Sequence, residues 1–114
     1  MKVDKSLVSG STTMLILKLL SNEDMYGYQM IEELKLRSQN VFTLKAGTLY
    51  PLLHKLEQQK FLTSYEKKSE NQKLRKYYSI TNEGRKLLDK KQNEWSIYTN
   101  SVNKVLGGVN FEGI

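Results

Sequence analysis

The residues with the richest binding chemistry in this chain fall between Lys45 and Tyr78. Gly47, Thr48, Tyr50, Pro51, His54 and Lys55, with Gln58, lie along one arc of a stretch with helical spacing. Small residues allow close backbone approach, and a hydroxyl, an imidazole and an ammonium can hydrogen-bond to phosphates. Farther on, Lys67, Lys68, Lys73, Arg75 and Lys76 cluster around a polar segment, where they would reach phosphates or a minor groove. Catalysis finds no comparable constellation. With a single histidine and no cysteine, the chain can form neither a metal-binding histidine pair nor a thiolate site nor a thiol nucleophile. It also lacks a glycine-rich phosphate loop and an acidic metal cluster. The pattern predicts a binding protein without enzymatic activity, metal or cofactor.

The binding residues need elements to hold them. Leu49, Leu52, Leu53 and Leu56 recur at i, i+3, i+4 and i+7, so one face of this helix is apolar and the arc above is free. Pro51 is tolerated only near a helix start, which places that start near Ala46 to Thr48. Phe61–Tyr65 and Leu74–Ile80 are rich in β-branched and aromatic residues and predict a two-stranded hairpin, with Glu66–Lys73 as a projecting loop. Alternation puts Lys76, Tyr78 and Ile80 on one strand face and Arg75 and Tyr77 on the other. Tyr77 and Tyr78 read as packing residues of the hairpin rather than stacking platforms. Tyr50 reads equally well as a backbone contact and as a packing residue. His54 suits a surface or nucleic-acid-facing role.

The flanking segments are helical. The first element runs from about Leu7 to Leu20, and its apolar block Met14–Leu17 and Leu19–Leu20 is broken only by Lys18. Such a helix is buried on more than one side, so Leu15 is a candidate contact with a second subunit. A second helix begins at Met25 to Gly27 and reaches Arg37, with Asn22 or Asp24 as its cap and Tyr28, Ile31, Leu34 and Met30 on its apolar side. Thr81 caps a last helix from Asn82 to Leu106, with Glu83 at its positive end and Gly107-Gly108 as its stop. Along it Leu88, Lys91, Trp95, Tyr98, Val102 and Val105 alternate by three and four residues, a heptad-like seam that points to dimerisation. The expected division is a reading domain over 1–80, a dimerisation helix over 81–107 and a tail over 108–114. The fold class is mainly α with a small β-hairpin wing, that is, a winged helix-turn-helix with a long C-terminal helix.

Composition supports a globular nucleic-acid binder. The apolar fraction is 39% and the charged fraction 26%, values of a folded domain. Lys60 to Lys91 holds ten basic residues against four acidic ones, which accounts for the whole net charge of +6. No apolar run approaches the roughly 20 residues of a membrane span, and the N-terminus lacks the apolar block of a secretory signal. A cytoplasmic location and no membrane partner are expected.

Tyr26-Gly27-Tyr28, then Gly47-Thr48-Leu49-Tyr50-Pro51-Leu52-Leu53-His54-Lys55-Leu56-Glu57, then Arg75-Lys76-Tyr77-Tyr78-Ser79-Ile80-Thr81 followed by Gly84, closely resemble the PadR-family transcriptional regulators. The likeness spans Leu7 to Leu106, and the single wing with one terminal helix is similar to the short subfamily. It implies a homodimeric repressor on a palindromic double-stranded DNA operator, often released by a small molecule. Trp95 resembles the aromatic that sandwiches flat ligands at the dimer centre in some members, which would make Lys91, Trp95 and Tyr98 an effector site for a planar aromatic molecule. The plain alternative for Trp95 is a space-filling interface residue. At the level of function, the alternatives are a winged-helix adaptor that binds proteins, or a repressor without an effector. The family's usual glycine after the third helix is replaced here by Gln59 or Lys60.

Overall fold

The computed structural model of the chain describes residues 3–107. In order it contains α1 (Lys5–Ser9), α2 (Thr12–Asn22), β1 (Met25–Tyr26), α3 (Gly27–Arg37), α4 (Ala46–Gln58), β2 (Leu62–Lys68), β3 (Leu74–Ile80) and α5 (Asn82–Val105). The three strands form one antiparallel sheet in the order β1-β3-β2. Ile16, Leu17 and Leu20 of α2, Met30 of α3, Leu49 and Leu53 of α4 and Leu62 of β2 meet in a core closed by Met25, Tyr78, Ile80 and Leu88. This is a mainly helical α+β architecture: a winged helix-turn-helix followed by a long C-terminal helix.

Local chemistry explains the boundaries. The expected first helix, Leu7 to Leu20, is two helices. Asp4 caps α1 through the Ser6 amide, and the Ser11 and Thr12 hydroxyls donate back to the Val8 carbonyl at 3.1 and 3.0 Å. Those short polar side chains compete with the helix ladder and break it at Gly10–Ser11. Asn22 and Asp24 do not cap α3. Its N-cap is Tyr26, without a side-chain bond, because Met25 and Tyr26 pair with Tyr78 and Tyr77 as an added strand. Tyr28 also departs from expectation: it is 58% exposed, and the buried side of α3 is Gly27, Met30 and Leu34. In the hairpin, strand pairing continues to Lys68 opposite Leu74, so the loop shrinks to Ser69–Lys73.

Two junctions hold the wing to the helices. After α4, Lys60 takes φ +70°, with Phe61 N bonded to Leu56 O at 2.9 Å and Lys60 N to Glu57 O at 3.0 Å. This is a Schellman turn in which lysine stands where glycine is usual, at a cost of roughly 1–2 kcal/mol for an L-residue. At the start of α5, Thr81 Oγ1 accepts from Gly84 N at 3.0 Å and donates to Lys60 O at 2.8 Å, so one hydroxyl caps α5 and ties it to the α4 turn. Gly84 is buried against this turn. A Cβ there would collide with the Phe61 carbonyl and lie 2.7 Å from Ile80 Cγ1, whereas Gly47 has nothing within 4 Å.

That contrast is measurable. Gly84→Ala should destabilise the protein by roughly 1–3 kcal/mol through overpacking, while Gly47→Ala, in open space within α4, should leave stability unchanged or raise it by up to about 1 kcal/mol. Urea unfolding followed by circular dichroism checks both, and equal shifts would contradict the close contact at Gly84.

Candidate nucleic-acid interface

The buried stripe of α4 is Leu49, Leu53 and Leu56, with Leu52 half-buried at its edge. The rotation this imposes leaves Gly47, Thr48, Tyr50, Pro51, His54, Lys55 and Gln58 all exposed. The N-cap, Lys45, makes no side-chain cap bond. The amides of Ala46 and Gly47 thus stand at the open, positive end of the helix dipole. The structure gives Tyr50 a packing contact. Its ring lies against Gly27, where a Cβ would come within 2.5 Å of the hydroxyl, yet the residue remains 45% exposed. The start of α3 and the first turns of α4 are fixed to each other through this contact.

Beside α4 the wing carries its cations in three different settings. Lys68 and Lys73 are exposed at the tip and make no ion pair among the described residues. The loop between them is held by Ser69 N to Lys73 O at 2.8 Å and by Gln72 at φ +68°. Lys67 and Arg75 instead lie over tyrosine rings, Lys67 Nζ at 4.8 Å from the Tyr77 centroid and Arg75 Cζ at 4.9 Å from that of Tyr26. Tyr77 stacks on Tyr65 at 5.8 Å and meets Tyr26 edge-on at 5.4 Å, so three rings brace the sheet's outer face. Tyr77 and Tyr78 are both buried, as hairpin packing requires. Tyr65 donates its hydroxyl to Asp24 at 2.6 Å, which pushes its pKa up to about 12 and keeps it a donor across neutral pH. Lys76 is the exception: its ammonium sits 3.7 Å from Glu57 of α4.

The residues assigned to the second subunit divide into two groups. Leu88 is 5% exposed in the chain's own core, and Leu15 is half-buried against that core. Trp95 and Tyr98 stand exposed on the second half of α5, ring centroids 6.2 Å apart, with half-buried Lys91 one turn earlier. Tyr98, Val102 and Val105 line an open groove with Ser101 and Leu106. The 108–114 tail lies outside the described residues. Among the described residues no cluster of His, Asp or Glu could hold a metal ion, and no helix is long and apolar enough to cross a membrane.

Sequence patterning does not point to Asp24, Gly27, Tyr26, Glu57 and Ser64 as parts of this surface. Each acts through a partner on another element. Tyr26 and Gly27 belong to the Tyr-Gly-Tyr string and Glu57 to the Gly47–Glu57 string, but neither reveals that Gly27 receives a ring from α4.

A helix with a free polar arc beside a cationic hairpin defines a winged-helix DNA reader. Residues 16–90 match the family described as Transcriptional regulator PadR-like family. A curated protein from Lysinibacillus sphaericus is 32% identical over 94 residues, 82% of this chain and 86% of that one. A transcriptional regulator from Clostridium thermocellum superposes with TM-score 0.82 at 30% identity, covering 90% of this chain and 96% of the other. A PadR family transcriptional regulator from Eggerthella lenta gives 0.76 at 35%, with 89% and 86% covered. The chain belongs to the PadR-like family of transcriptional regulators, which are DNA-binding transcription factors and not enzymes.

The Tyr50–Gly27 contact generates a coupling test. Gly27→Ala should cost roughly 1–3 kcal/mol in the wild-type background and clearly less in a Tyr50→Ala background, where the ring is gone. Additive effects in urea unfolding would show that the two residues do not press on each other.

Proposed function

We propose that this protein is a homodimeric, cytoplasmic repressor that reads a palindromic operator. Residues 1–80 form the reading unit and 81–107 the pairing helix. The observation that carries this reading is the coincidence of the free arc of α4 with the unpaired wing cations, while apolar Trp95, Tyr98 and Val105 stand exposed on the half of α5 beyond the core. Gly47, Thr48, Tyr50, Pro51, His54 and Lys55 enter the major groove. Lys67, Lys68, Lys73 and Arg75 approach the flanking phosphates, with Lys76 held by Glu57 at the wing's root. The Tyr98, Val102 and Val105 seam pairs with its two-fold copy, which spaces the two α4 helices about one DNA turn apart.

Mobility shift and footprinting on the protein's own upstream region test the reading. A pair of half-sites about 10 base pairs apart is expected. Replacing Lys67, Lys68 and Lys73 together by alanine should flatten the salt dependence of log K by about 0.9 for each phosphate left unneutralised. Val102→Glu should give a monomer in sedimentation and abolish the footprint. A wild-type protein that ignores DNA but captures another protein would replace this function with the adaptor one.

The Trp95–Tyr98 pair favours an effector as well. Two exposed rings 6.2 Å apart beside Lys91, met by a symmetry copy, would enclose a planar aromatic molecule. Such a ligand releases DNA only if it binds one dimer geometry better than the other. Trp95 is the sole tryptophan, so titration with planar aromatics should quench its fluorescence saturably. Trp95→Ala should abolish ligand binding, read by equilibrium dialysis, and retain operator binding. A flat response across a broad panel would leave a repressor without this effector.

A further inference from the structure

Glu57 touches both strands of the wing from the last turn of α4. Its Oε2 accepts from Ser64 Oγ of β2 at 2.5 Å, and its Oε1 lies 3.7 Å from Lys76 Nζ of β3. Ser64 stands opposite Tyr78 and Glu66 opposite Lys76, so these four side chains share one sheet face. That face carries Tyr78, which is buried, and Lys76 Nζ lies 5.5 Å from its ring centroid. Lys76, still exposed on its outer side, thus faces the Glu57 carboxylate and the buried Tyr78 ring, with Glu66 as its cross-strand neighbour. No other wing cation has an acidic partner among the described residues.

We propose that Glu57 is a positioning residue for DNA binding, setting the wing against α4 and occupying Lys76 as an internal ion pair. The proposal rests on the DNA-binding function above. A lysine engaged by a carboxylate of its own protein neutralises no phosphate, and so displaces none of the cations condensed on the DNA. Lys76, though it sits in the most basic stretch of the sequence, adds little to the salt dependence of binding. The Ser64 bond, which does not involve Lys76, holds the hairpin base in line with α4, so Lys67, Lys68 and Lys73 stay aimed at the phosphates flanking the groove when Lys76 is removed.

Glu57→Gln separates charge from shape, since glutamine keeps the volume and an oxygen for Ser64. It should free Lys76 for a phosphate and steepen the slope of log K against log salt by up to about 0.9. Lys76→Ala alone should leave the wild-type slope unchanged. In the double variant the added steepness should disappear. If it persists without Lys76, removal of a negative charge near DNA is the cause and the proposal is overturned. A wild-type slope in Glu57→Gln, or a slope flattened by Lys76→Ala alone, overturns it as well. A wild-type protein that shows no salt-dependent DNA binding instead removes the function beneath it, before any variant is compared.

Discussion

Leu49, Leu53 and Leu56 decide which way α4 faces, and most of the surface chemistry depends on that rotation. All three are essentially withdrawn from water, and burying a leucine side chain stabilises by roughly 1.5–3 kcal/mol. Turning the helix by about 100°, one residue's worth, would expose at least one of them and bury a lysine or histidine. The free arc is thus the complement of the core stripe and needs no further specification. Pro51 sits on that arc, where its ring points to solvent and its missing amide hydrogen costs only a bond near the helix start.

The sheet depends on a less regular set of contacts. A hairpin alone is marginal in water. Here β3 gains a second neighbour from only two residues, Met25 and Tyr26, and the three tyrosines of the outer face stack across all three strands. Arg75 and Lys67 lie with their cationic groups over those rings while their stems cover apolar surface. Rigidity and positive potential then come from the same residues. The Tyr65–Asp24 bond adds a tie between the hairpin and the turn before β1.

What is legible in the sequence follows from how local each signal is. The α4 stripe, the Thr81 cap, the extent of α5 and β3 all rest on spacings within a few residues and appear where those spacings put them, whereas β2 runs on past Tyr65 to Lys68 because β3 lies beside it. The β1 strand has no period to read, because two residues become a strand only when β3 lies beside them. Apolar bulk predicts Tyr28 inside, but the interior position belongs to Gly27, whose lack of a side chain admits the Tyr50 ring. Burial of a glycine leaves no hydropathy signal. Lys76 looks like the other wing cations in the sequence, since alternation gives a face but not what lies opposite it. The carboxylate facing it comes from α4, and only the closing of the Lys60 turn brings the two together.

The second half of α5 carries the last constraint. Gly84, Leu87 and Leu88 anchor the helix on α2 and β3, but past Lys91 most side chains are exposed, including Trp95, Ile97, Tyr98 and Val105. The helix has 24 residues, a length of about 36 Å, so it outruns the domain that nucleates it. An isolated helical segment shorter than about 12–15 residues is marginal in water even with good helix formers. The distal part of α5 is of that length, is rich in Asn, Ser, Thr and β-branched residues, and lacks a strong intrinsic preference for helix. Most of its apolar residues also recur on one side, at 95, 98, 102 and 105, with Ile97 off that side. A segment with weak propensity, one apolar seam and few neighbours among the described residues would gain stability from a second copy of itself, as in the proposed dimer. This is the physical ground for treating the dimer, rather than the single chain, as the unit that would read DNA.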